Sequence, residues 1–304
     1  MFSTWELLLR QLINGLIMGS FYALVALGYS MVYGIIKLLN FAHGDIYMTG
    51  AFVSLLVFAR IREVIPGWPG IIISFFAAMI VIGFLGYLVQ RLAYRRLLNA
   101  PRLSLLITAI GVSLVISNTV MVMTRSRPMF FSSGLDETAG IQFGPNITLT
   151  YIQISILTIS LIMMLCLTLF INKTMMGKAM RAIALDKDTC RLMGINVYKI
   201  IGITFVIGSA LAAVAGGMAG VAFNTVEFGM GFGIGIKAFT AAVIGGIGSI
   251  PGAMLGGLLL GLLEAMGTQI TGSQWSDVFA FGLLILILIL RPNGLLGKTE
   301  IERM

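Results

Sequence analysis

The chain is poor in charge and nearly devoid of histidine and cysteine. Charged residues fill 11% of its 304 positions against 58% hydrophobic, and the mean hydropathy is +1.01. A soluble domain carries about 25% charged residues. So little polar surface excludes a globule covered by water. A single histidine, His43, has no second imidazole to share a metal with, and no nucleophile elbow accompanies it. Neither a metalloenzyme nor a Ser-His-Asp hydrolase is therefore supported. Of the two cysteines, Cys166 lies inside an apolar run and Cys190 in a basic segment, so no disulfide is expected. Acidic residues number 12 against 20 basic ones, a net charge of +8. The basic residues form no stripe interleaved with aromatics, so nucleic acid is not an expected partner.

What is present in place of these is a series of charge-free apolar runs: residues 11–36, 71–90, 103–124, 151–172, 200–226, 238–263 and 278–290. About 20 apolar residues suffice for a helix to cross a bilayer. The first run is too long for a signal-peptide core and no cleavage site follows it, so it reads as a retained helix. The expected fold is an all-α integral membrane protein, a polytopic bundle of about eight to nine membrane segments.

Basic residues cluster in three places. Arg91, Arg95, Arg96 and Arg102 lie in one short connection. Lys173, Lys178, Arg181, Lys187, Arg191 and Lys199 lie in a second, and Arg291, Lys298 and Arg303 follow the last run. The positive-inside rule places all three in the cytoplasm. Threading outward from them puts the N-terminus and a large loop, residues 124–150, outside. Arg10, Arg60, Arg62, Arg125, Arg127 and Lys237 remain outside or near the outer face. Two stretches interrupt the apolar pattern, NFAHGD at residues 40–45 and GGIGSIPG at residues 245–252. Each separates an inward helix from an outward one, which predicts broken or re-entrant helices and an internal repeat of the kind used by transporters. The first break is expected at the cytoplasmic end of its two helices.

Asn40, His43 and Asp45 in the first break have two compatible readings. They cap the broken helix ends, whose backbone groups need partners in lipid, or they line a polar pathway. Gly15 and Gly19, Gly216 and Gly220, Gly252 and Gly256, and Gly257 and Gly261 recur four apart, the spacing of close helix packing. GLLGKT at residues 294–299 has the end of a phosphate-binding loop, but the first glycine of that motif would fall on Pro292. In the second basic segment Asp186 reads as the N-cap of a short helix over residues 187–193 and Gly194 as its C′ residue, with another short helix over 178–185. That pair is either an amphipathic membrane anchor or a docking element for a cytoplasmic partner.

Longer strings carry a resemblance. NGLIMGSFYALVALGYSMVYGIIKLLNFAHGDIYMTGAF at residues 14–52, RAIALDKDTCRLMGIN at 181–196, TFVIGSALAAVAGGMAG at 204–220 and GIKAFTAAVIGGIGSIPGAMLGGLLLGLLEA at 235–265 resemble the LivH-type permease family of branched-chain amino acid ABC importers. The resemblance implies that residues 1–304 form one importer transmembrane domain with a coupling loop at 172–199. It implies a second, LivM-like permease subunit, two cytoplasmic ATPase subunits and an extracytoplasmic substrate-binding protein. It further implies no cofactor on the chain itself, ATP and Mg on the ATPases, and a place in the bacterial inner membrane. Arg181, Asp186, Arg191 and Gly194 would then serve ATPase coupling. Arg125, Arg127, Asp136, Glu137 and Glu227 would meet the binding protein. Asn40, His43, Asp45, Thr240 and Ser249 would offer polar groups along the substrate pathway. Two readings compete: an ion-coupled secondary transporter using Asp45 and Glu264, and a permease for urea or short amides.

Overall fold

The computed structural model describes residues 4–37, 39–97, 100–144 and 147–297. Lys298, Thr299 and Arg303 lie outside the described residues. Eleven α-helices follow one another among them. The first five are α1 (Thr4–Ile36), α2 (His43–Ile61), α3 (Trp68–Val89), α4 (Arg102–Thr124) and α5 (Tyr151–Lys173). Then come α6 (Met175–Leu185), α7 (Lys187–Leu192), α8 (Val197–Phe223), α9 (Met230–Gly245), α10 (Ile250–Thr271) and α11 (Ser276–Leu290). A π-helical turn, Gln90–Tyr94, and a 3-10 turn, Arg95–Leu97, prolong α3. The strands are short: β1 (Met129–Phe130) pairs antiparallel with β4 (Thr225–Val226), and β2 (Gly140–Gly144) with β3 (Ile147–Thr150). Eight helices are long and apolar enough to cross a bilayer, and α9, at 16 residues, is shorter. The chain is a multi-pass membrane protein.

In lipid there is no water to drive helices together, so association rests on close van der Waals fit. The glycine pairs supply it. A Cβ on Gly257 would lie 2.4 Å from Ala23, and one on Gly261 would lie 2.2 Å from the Gly19 nitrogen, so α1 and α10 touch backbone to backbone. Gly216 presses on the Tyr47 carbonyl of α2, and Gly256 on the Ala241 carbonyl of α9. The expected role of these glycines in packing is the observed one. The central helices α1 and α8 are mostly buried, whereas α4 and α11 turn large apolar side chains such as Ile107, Val115, Ile289 and Leu290 outward, the face a bilayer covers.

Helix ends buried without water need internal partners. A capping box of Thr150 and Gln153 closes the start of α5, with bonds of 3.3 and 3.1 Å. At the second break, α9 ends at Gly245 and Gly246 takes φ +103°, a conformation glycine tolerates best. The chain after α11 returns to this point. Leu295 and Leu296 donate backbone N–H groups to the carbonyls of Ile244 and Gly245, each at 2.9 Å. Leu295 and Leu296, within the GLLGKT string, therefore cap the end of α9.

One ionic cluster ties four helices together. The Lys237 ammonium on α9 donates to Glu264 of α10 at 2.8 Å and to Ser276 of α11 at 2.7 Å, and pairs with Asp277 at 3.1 Å. Tyr22 of α1 donates to the other Glu264 oxygen at 2.8 Å, and Ser276 donates to the first.

Candidate functional site

The end of α1 and the first two basic segments meet at one end of the bundle: the Lys187 ammonium donates to the Ile36 carbonyl at 3.4 Å, and Arg95 and Arg191 share the Tyr198 ring. The chain then turns back into the bundle before α2 starts. His43 packs against Gly28, about two turns before the end of α1, and lies 3.7 Å from where a Cβ on Gly208, near the middle of α8, would stand. The first break is thus centred inside the bundle, which corrects the expected position at its basic end. The imidazole fits because Gly28 has no side chain: a Cβ there would lie 2.1 Å from Nε2.

From the opposite end α9 also starts inside. After β4 the chain re-enters, and a Cβ on Gly44 would stand 2.3 Å from the Gly231 carbonyl. The N-terminal ends of α2 and α9 therefore meet in the interior. Each is the positive end of a helix dipole. Asp45 in the first turn of α2 complements that charge.

A cavity of about 540 Å³ opens beside this meeting point. Its polar lining is Asp45, Tyr29, Ser113, Ser117 and Asn118, and its apolar walls include Phe41, Leu106, Ile110, Phe232 and Ile236. Ser113 Oγ donates to Asp45 at 2.5 Å and orients the carboxylate. Of the five residues expected on a pathway, Asp45 alone lines this cavity. Asn40 is buried and accepts from the Tyr94 hydroxyl at 2.8 Å. His43, 2% exposed, meets the Tyr29 ring edge-on at 5.0 Å. Thr240 is wholly buried. Among the described residues Asn40 Nδ2, His43 Nε2 and Thr240 Oγ1 have no hydrogen-bond partner. Ser249 is instead the N-cap of α10, accepting from Gly252 N–H at 3.3 Å. The expected capping role for the first break is also corrected: the N-cap of α2 is Ala42, with no side-chain bond. Asn40 turns to Tyr94, and the backbone at that end closes on a turn from His43 N–H to the Asn40 carbonyl at 3.0 Å.

Ser113, Ser117 and Asn118 escaped the sequence reading. Their signal was there: Ser104, Thr108, Ser113 and Ser117 form a polar ridge at near-helical spacing inside a charge-free span.

At the basic end the two short helices form as expected. Asp186 caps α7, accepting from the N–H groups of Asp188 at 2.9 Å and Thr189 at 3.1 Å, and from the Thr189 hydroxyl. The Thr189 hydroxyl, followed by the two N–H groups, holds its carboxyl below the usual range. Burial, with Arg191 nearby, pushes the Lys187 ammonium down. Gly194 ends the turn at φ +81°. Arg181 folds back to the Ile171 carbonyl near the end of α5, and Arg191 pairs with Asp188 at 3.2 Å. Leu185 and Leu192 are 90% and 89% exposed, an apolar tip with no cover.

At the other end Arg125, Arg127, Asp136, Glu137 and Glu227 are all exposed. Glu137 accepts from Asn224 at 2.8 Å, which joins the loop after α4 to the one after α8. The Thr138 hydroxyl at 2.7 Å, then its N–H at 2.9 Å, depress the Asp136 pKa.

The family described as branched-chain amino acid transport system / permease component matches residues 11–288. The chain is 46% identical over 301 residues to the high-affinity branched-chain amino acid transport system permease protein BraD of Pseudomonas aeruginosa, covering 97% of each chain. It is 42% identical over 299 residues to LivH of Escherichia coli, again over 97% of each. A more distant likeness, 24% identity over 92% of this chain and 68% of the other, is to the permease protein LivM of Escherichia coli. Broken helices around an interior polar cavity, in a chain matched nearly end to end, lead to one conclusion: it belongs to the branched-chain amino acid transport system permease-component family.

Proposed function

We propose that this chain is a permease subunit of an ATP-driven importer of branched-chain amino acids in the bacterial inner membrane. Residues 1–304 act as one transmembrane domain beside a second, LivM-like permease subunit. The basic end faces the cytoplasm. There α6 and α7 couple to two ATPase subunits that carry ATP and Mg, with Leu185, Leu192 and the Asp186–Gly194 turn as the contact. Arg181 and Arg191 brace that element. At the outer end Arg125, Arg127, Asp136, Glu137 and Glu227 receive the substrate-binding protein, where exposed charges favour transient electrostatic docking.

The observation that carries the reading is the cavity. A branched-chain amino acid is a zwitterion with an aliphatic tail. Asp45 faces its ammonium, the converging N-termini of α2 and α9 suit its carboxylate, and the Phe41, Ile110, Phe232 and Ile236 walls suit the tail. Such extensive apolar lining suits urea or a short amide poorly. The ion-coupled reading needs Glu264 available to a cation, and its two oxygens are engaged by Tyr22, Lys237 and Ser276. ATP binds the closed ATPase pair more tightly than the open one, and that difference drives alternating access.

Uptake of labelled leucine into proteoliposomes holding the whole complex tests the proposal. Uptake that requires ATP and binding protein supports it. Ion-gradient-driven uptake by this chain alone refutes it.

A further inference from the structure

A second cavity, about 380 Å³, lies at the basic end, lined by Arg91, Leu92, Arg95, Arg96 and Tyr198. The three arginines come from the turns that prolong α3, and Tyr198 from the first turn of α8. Arg95 and Arg191 both stand over the Tyr198 ring, with guanidinium carbons 5.0 and 5.6 Å from its centre. Arg91 donates to the Tyr87 hydroxyl at 2.8 Å. Among the described residues no carboxylate pairs with Arg91, Arg95 or Arg96, and Asp188 pairs instead with Arg191 at 3.2 Å. Three cations without a carboxylate partner around one hollow present a concentrated positive field that attracts an anion.

The depth of the cavity narrows the anion. Its arginines sit at the last turns of the apolar span Trp68–Leu97, the level of a headgroup layer. Leu92, 69% exposed, stands on the same turn beside them, an apolar side chain open to acyl chains. Guanidinium groups grip phosphate oxygens in pairs, and basic pockets at the cytoplasmic side of membrane proteins suit anionic headgroups. The surface shaped for a protein partner is the uncovered apolar tip at Leu185 and Leu192, on a different element. We propose that the arginine cavity binds the phosphate of an anionic glycerophospholipid. Through Tyr198 and Arg191 the bound phosphate links the α3–α4 connection to α7.

The test uses the assembled transporter, wild type and with Arg91→Gln, Arg95→Gln and Arg96→Gln combined. Native mass spectrometry after exposure to phosphatidylglycerol counts retained lipid. The expected result is anionic lipid retained by the wild type and reduced about tenfold in the variant, a shift of about 1.4 kcal/mol. Equal retention overturns the proposal, as does an ATPase subunit lost from the variant with lipid retention intact. A readout on the unmodified complex guards against misfolding of the variant. Its melting temperature should rise with phosphatidylglycerol and not with phosphatidylcholine or inorganic phosphate. An equal rise with phosphatidylcholine refutes a phosphate-specific site, and a rise with inorganic phosphate alone assigns the cavity to a free anion.

Discussion

Lys187 of α7 donates its ammonium to the carbonyl of Ile36, the last residue of α1, across 3.4 Å. This bond joins the proposed ATPase-coupling element to the helix that leads directly into the first break. On the proposed function, this bond offers a route by which a push on α7 would reach the segment that places Phe41 and Asp45 at the cavity.

Lys187→Met should loosen that link while leaving the complex assembled. Stimulation of ATP hydrolysis by loaded binding protein is expected to fall severalfold, with basal hydrolysis unchanged. Unaltered stimulation would show that α7 moves α1 through other contacts.

Asp186 gives the coupling turn a pH dependence. Its folded pKa is depressed by the Thr189 hydroxyl and the two N–H groups it accepts. The cap is therefore fully present above the unfolded value of about 3.9 and is lost as pH falls through the lower folded one. Hydrogen exchange across α7 should be slow at neutral pH, faster in Asp186→Ala, and near wild type in Asp186→Asn, since Asn also caps well.

Lys237→Met strips the Glu264 carboxylate of its cation inside the bundle. Breaking one side of a buried pair costs about 3–5 kcal/mol. The melting temperature of the purified complex should drop, and adding Glu264→Met should recover much of the loss. No recovery would mean that Lys237 acts through Asp277.

Glycine substitutions should divide sharply by position. Gly261→Ala places a methyl 2.2 Å from the Gly19 nitrogen and Gly28→Ala one 2.1 Å from His43 Nε2. Both should cut the yield of folded protein. Gly111→Ala and Gly282→Ala meet nothing within 4 Å and should be neutral or slightly stabilising, since alanine favours helix by up to about 1 kcal/mol.

These positions also show what a sequence can disclose. Asp186, Gly194 and the Thr150–Gln153 capping box act through neighbours a few residues away, so local chemistry reveals them. The packing glycines repeat at helical spacing and are legible for the same reason. Asn40 is different: its partner Tyr94 lies far along the chain, and no local pattern announces that bond. The depth of His43 depends on missing side chains at Gly28 and Gly208, on two other helices. Ser113 meets Asp45 only once α4 is laid against α2.

Asp45→Asn is nearly isosteric, so it preserves the Ser113 contact and removes only the charge. The decisive measurement is ATP-driven leucine uptake by the reconstituted complex carrying this change, at saturating binding protein. A cavity that guides the substrate ammonium past Asp45 predicts a loss of at least about tenfold in rate, equivalent to about 1.4 kcal/mol, with assembly and basal ATP hydrolysis intact. Uptake at the wild-type rate would contradict a pathway through this cavity.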